Sequence, residues 1–136
     1  MSDNPIPPIA SPPPAPTSSE KDVRMWNMWC HMSALAGLVV PFGNILGPLL
    51  VWQIKKNEIP SVEIHGKAAL NFQLTVFIAT LVGFLIAFAL SFLCIGYLLF
   101  PVVFAIWIAG IVFAIIAGIK ANDGKDYQYP YSLKLV

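Results

Sequence analysis

The chain has 136 residues, 57% of them hydrophobic and 11% charged, with a formal net charge of +1 and a mean hydropathy of +0.73. Soluble domains carry about 25% charged residues, so lipid rather than a large soluble core accounts for the missing charge, and no stretch is long enough for a separate soluble domain. The near-neutral balance points to neither nucleic acid nor an acidic substrate.

Residues 1–24 read as a disordered tail, with Pro5, Pro7, Pro8, Pro12, Pro13, Pro14 and Pro16 set among Ser and Thr. Such a segment buries too little apolar surface to offset its ordering entropy. It is read as a solvated extension; the alternative is a docking ligand for a groove-type partner. No basic stretch leads into a short apolar one, so no cleavable signal peptide is expected.

From Trp26 to Ile54 the chain is uncharged. As one straight helix this segment would exceed the roughly 30 Å hydrocarbon core. Pro41-Phe42-Gly43-Asn44 reads as a turn, because Pro fixes φ while Gly and Asn tolerate positive φ. Two helices follow, about 25–40 and 45–56, with Asn44 as the cap of the second and Pro48 near its first turn. The second is short for a full crossing, and whether it spans or re-enters stays open. The connector 55–67 is polar. A helix over about 61–92 comes next, then a turn at Cys94-Ile95-Gly96-Tyr97, then a helix over 96–121. Residues 68–119 contain no charged side chain, which suffices for two crossings. Asn122-Asp123-Gly124 stops the last helix, with Gly124 as a left-handed cap. Residues 122–136 form an interfacial tail, where Tyr127, Tyr129 and Tyr131 suit the headgroup level, and Tyr131, Leu133 and Leu135 alternate with polar residues.

The fold class expected is therefore an all-α integral membrane bundle of about four helices: a shorter N-terminal hairpin, then two long helices. Lys and Arg flank the N-terminal segment, the connector and the C-terminal end, and none lies near the 91–101 turn. They share the cytoplasmic side only if 25–56 enters and returns, which places both termini in the cytoplasm. One long kinked first span would leave the N-terminus outside.

Candidate polar residues are few. Lys67, Asn71 and Thr75 share a helix face beside His65, and Gln73 points elsewhere. They read as an interfacial cap and helix-to-helix hydrogen bonds, or as the entrance to a substrate path. His31 beside Cys30 reads as a buried hydrogen-bonding group, since no further ligands are close in sequence. Cys30 and Cys94 form no CxxC pair. Gly110, Ala114 and Gly118, four apart, form a small-residue packing seam within the chain or between copies, and Ala105 and Ala109 lie on a nearby face. No nucleophile, acid–base pair, metal cluster or cofactor loop is legible, so no enzyme, metal or cofactor is expected.

Three ordered motifs carry a resemblance. They are His31-x-x-Ala34-x-x-Gly37 with Pro41-Phe42-Gly43-Asn44-x-x-Gly47-Pro48; His65-Gly66-Lys67-x-Ala69-Leu70-Asn71-Phe72-Gln73; and Ile119-Lys120-Ala121-Asn122-x-Gly124 with Tyr129-Pro130. Over residues 26–136 the chain resembles a Tic-twenty-like family of small bacterial membrane proteins of unknown function. The resemblance implies a four-helix membrane bundle in the bacterial cytoplasmic (inner) membrane. It would interact with the lipid bilayer and with other membrane proteins or itself, but with no nucleic acid. The function expected is non-enzymatic interaction or assembly. The alternative is a transport component, for protein translocation or as a small-solute pore, with His31, Asn44, Asn71 and Gln73 lining the path.

Overall fold

The computed structural model describes residues 18–136. The expectation for the Pro-rich residues 1–17 lies outside them. Four helices follow one another: α1 (Ser18–Met32), α2 (Gly43–Lys55), α3 (Pro60–Ser91) and α4 (Phe100–Asn122). Short 3-10 turns at Ser33–Leu38 and Gly96–Leu98 join them, and no strand occurs among the described residues. Two helical segments, Pro60–Ser91 and Gly96–Asn122, are long and apolar enough to cross a membrane.

The N-terminal third departs from expectation at both ends of its first helix. Residues 18–24, assigned to the tail, are helical; Glu20 lies in the first turn of α1 and His31 in its last, where the helix dipole favours an anion and a cation respectively. The helix does not run on to residue 40. It tightens after Met32 into the 3-10 turn, because backbone meets backbone there. A Cβ on Gly47 would stand 2.2 Å from the Ser33 carbonyl oxygen. Nor does Asn44 cap α2. Phe42 holds the capping position with φ 60, and no side chain bonds the helix start. Asn44 instead donates from Nδ2 to Gln73 Oε1 at 3.3 Å. Pro48 lies inside α2, fully buried, in the second turn rather than the first.

Pairings along the chain fix the helix directions. Ser61 donates to Asn27 Oδ1 and His31 meets His65, so α1 runs parallel to α3. Asn44 opposite Gln73 and Trp52 against Gly66 make α2 antiparallel to α3. Gly118 against Met32 and Gly124 against Arg24 make α1 antiparallel to α4. The tip of the N-terminal hairpin reaches only to Phe77, whose ring lies 5.8 Å from that of Phe42. Ten residues separate Lys67 from Phe77, or about 15 Å of helix, half of a roughly 30 Å core. The tip is irregular yet satisfies its own backbone: Val39 and Val40 donate to the Ala36 carbonyl, Gly43 to that of Val40, and Ile45 and Leu46 to that of Phe42.

Past Phe77, α3 and α4 continue as a two-helix hairpin. Val103 packs on Gly83 and Gly96 on the Ala87 carbonyl. Cys94, with φ 61, makes the reversal. At the opposite end Gly124 (φ 74) closes α4 with Gly124 N–H on the Ala121 carbonyl and Lys125 N–H on that of Lys120, the paired bonds of a Schellman ending. The remaining chain folds back on α3, reverses at Tyr131 (φ 57), and is held there by side chains of α3.

Candidate functional site

Four side chains from three segments form a hydrogen-bonded row at the charged end of the bundle. Tyr129 Oη lies 2.8 Å from His31 Nδ1, and His31 Nε2 lies 3.0 Å from His65 Nδ1. His65 Nε2 is 3.4 Å from Asp126 Oδ1. Both histidines are buried, His31 completely, while Asp126 is exposed. A carboxylate only accepts, so His65 carries its proton on Nε2 and offers a lone pair at Nδ1. His31 then donates from Nε2 and accepts at Nδ1, where the Tyr129 O–H donates. One assignment satisfies all three gaps with neutral imidazoles. Burial pushes the Tyr129 phenol above its ordinary value, with Tyr127 adding to the shift, and so keeps it a neutral donor. Its ring stacks on Phe72 at 4.0 Å. The thiol of Cys30, also fully buried, faces the Val62 carbonyl at 3.9 Å.

Asn71 holds the tail. Its Oδ1 accepts the N–H groups of Leu135 and Val136 at 2.8 Å each, and its Nδ2 donates to the Val136 carbonyl at 3.4 Å. Thr75 Oγ1 accepts the Leu133 N–H at 2.9 Å and donates to the Asn71 carbonyl at 2.7 Å. Asn71 and Thr75 thus act on one strip of backbone, whereas Gln73 turns to Asn44. Lys67 pairs with Glu63 at 2.9 Å and stands 5.8 Å from the centre of the Trp52 ring. Lys56 stands over Trp52, Lys55 over Trp26 and Lys120 over Tyr127. A rim of ammonium groups on aromatic rings therefore marks one level of the molecule.

The remaining sequence candidates are spread through the fold. Pro41 is exposed at the hairpin tip, and Gly43 is buried where a Cβ would stand 2.5 Å from the Ala36 carbonyl oxygen. In the small-residue row, Gly110 faces Val76, Gly118 faces Met32, and Ala114 is buried. Asp126, Asn27 and Ser61 complete the polar contacts without having been singled out, and Tyr129, expected at the headgroup level, joins them in the core. The one available signal is that both histidines of the chain sit in or beside apolar runs, where an imidazole needs a partner.

A polar cavity of about 340 Å³ opens onto the row, lined by Glu20, Arg24, Asn27, Ser61, His65 and Asp126 among others. Among the described residues no group of three or more His, Cys, Asp or Glu is placed to hold a metal ion. No polar contact between helices lies beyond the Asn44–Gln73 pair along α3 among them, so the polar groups form no path through the far half.

The family model matching residues 22–136 is that of the MamF/MmsF magnetosome magnetite crystal formation proteins. No curated protein and no solved structure matches. The family match overturns the Tic-twenty-like resemblance, all of whose motifs lie inside the matched residues. Nearly half of the motif residues are Gly, Pro or Asn, many at turns and close helix contacts, and small helical bundles of separate families share such needs.

Proposed function

Because the chain belongs to the magnetosome magnetite crystal formation protein family, we propose that it acts in crystal formation as a non-enzymatic membrane component, through contacts with other membrane proteins or further copies of itself. In this reading α3 and α4 cross the bilayer and the N-terminal hairpin re-enters to about half depth. The rows of lysine on aromatic rings lie at the aqueous boundary, a position that suits both groups. Both ends of the described chain then lie on one side, by the excess of Lys and Arg there the cytoplasmic one.

The observation that carries the reading is the outward face of the far hairpin. Phe84, Leu85, Phe88, Phe92, Val102 and Phe104 are all exposed, a surface that water would penalise and lipid accepts. The family describes crystal formation and not an enzymatic reaction. Protein translocation rested on the resemblance now set aside, and nothing supports a solute pore. In-cell photo-crosslinking from Trp52 and Asn71, followed by mass spectrometry of magnetosome membranes, tests the proposal. Reproducible crosslinks to one resident membrane protein, or to the chain itself, are expected. Recovery of the chain in the soluble fraction, with no membrane-protein crosslink, overturns it.

A further inference from the structure

The row Tyr129–His31–His65–Asp126 does more than fill a core. Two of its members, Asp126 and Tyr129, belong to the C-terminal tail, and the other two to α1 and α3. All three gaps are satisfied with at most one of the two imidazoles protonated. We propose that this row is an acid-opened latch that holds the C-terminal tail on α3 at neutral pH and releases it when the two histidines take up protons. The inference stands on the geometry of the row and does not rest on the crystal-formation reading.

A first proton enters from the polar cavity, which reaches His65 and Asp126. It makes His65 a donor at both nitrogens, and the exposed Asp126 carboxylate 3.4 Å away supports that charge. The row must then reverse. His31 accepts at Nε2 and donates from Nδ1 to the Tyr129 oxygen, whose own O–H loses its acceptor inside the core. An orphaned buried donor costs about 1–3 kcal/mol. A second proton, on His31, sets N–H against N–H across a 3.0 Å gap. Among the described residues the polar partners of His31 are Tyr129 and His65, neither of them a carboxylate. Two adjacent imidazolium ions repel each other across that gap.

Further charged groups lie around the row. On α1, Glu20 and Arg24 line the cavity beside His65. On α3, Glu63 pairs with Lys67. On α4, Lys120 lies over the Tyr127 ring, and on α2, Lys55 and Lys56 lie over Trp26 and Trp52. The tail is built to leave. Beyond the row it is held by the backbone bonds to Asn71 and Thr75, and Tyr131, Leu133 and Leu135 point outward.

Hydrogen–deuterium exchange on the full chain in lipid nanodiscs tests this, at about pH 7.5 and in steps down to about pH 4, because burial opposes the charged imidazole and moves its protonation below the ordinary histidine range. Rates are corrected for the intrinsic pH dependence of exchange. The expected result is a fall of about tenfold or more in protection of residues 130–136 on acidification, with residues 68–90 unchanged. His65→Asn, whose amide cannot be protonated in this range, is expected to abolish the acid step. Should that variant not fold, Tyr129→Phe keeps the ring on Phe72 while deleting the phenol donor. It is expected to lower tail protection already at neutral pH and to shrink the acid step. Equal protection of the wild-type tail at every pH of the series overturns the proposal. So does an acid step of undiminished size in either variant, or a loss of protection that spreads equally to α3, which is unfolding and not release.

Discussion

The two halves of α3 live in different surroundings although they form one continuous helix. From Ser61 to Gln73 the helix offers polar side chains to three neighbours: Ser61 to α1, His65 to α1 and the tail, Asn71 to the tail, Gln73 to α2. From Ile78 to Ser91 its neighbours are α4 and the turn before it, and most of its large side chains face outward. The first half is held by specific hydrogen bonds. The second is held by apolar contact of a kind that lipid offers equally well. Polar pairing inside a membrane fixes one arrangement, because the alternative is an unsatisfied group in hydrocarbon. Apolar contact fixes it only weakly.

The comparison can be broken by substitution. The largest effect is expected at His31→Leu, which removes two buried hydrogen bonds and leaves the Tyr129 hydroxyl and His65 Nδ1 without partners. A loss of about 2–6 kcal/mol follows from two orphaned groups, readable as a lowered unfolding midpoint in mixed micelles. Gly66→Val comes next. Its Cβ would stand 2.6 Å from that of Trp52, and overpacking of this kind costs about 1–3 kcal/mol. The same midpoint measures it, and a shift in tryptophan fluorescence should accompany it. Asn71→Leu removes three bonds to the tail and is expected to cost about 1–2 kcal/mol, with faster amide exchange confined to residues 130–136. The smallest effect belongs to the far half: Phe88→Leu, on an exposed ring, is expected within about 0.5 kcal/mol in a bilayer. A midpoint shift there as large as that of His31→Leu would erase the distinction between the halves.

How much of this was legible depends on the range of the interaction. Local features were. The charge-free run 68–119 contains most of both long helices, Cys94–Tyr97 marks their reversal, and Gly124 takes the positive φ that ends α4. The start of α1 was hidden because Ser18–Arg24 follows a Pro-rich run, and its charges looked like tail; Glu20 and Arg24 line a cavity against Ser61 and Asp126 instead. Asn44 has the composition of a cap, but a tertiary partner, Gln73, takes its amide. The row Tyr129–His31–His65–Asp126 joins residues about a hundred positions apart. No periodicity encodes such a meeting, and Tyr129 was assigned to the headgroup level with its tyrosine neighbours.

The central claim is that polar bonding stops where the N-terminal hairpin stops, about halfway across the bilayer. The most direct measurement places a spin label at Val39→Cys, at the exposed hairpin tip, in a Cys94→Ser background, and reads its depth in liposomes by power saturation. The account predicts a label deep in the hydrocarbon, open to oxygen and shielded from a water-soluble nickel chelate, while labels at residues 58 and 126 are in water on one common side. A residue-39 label in water on the side opposite residue 58 would mean a full crossing, and would contradict it.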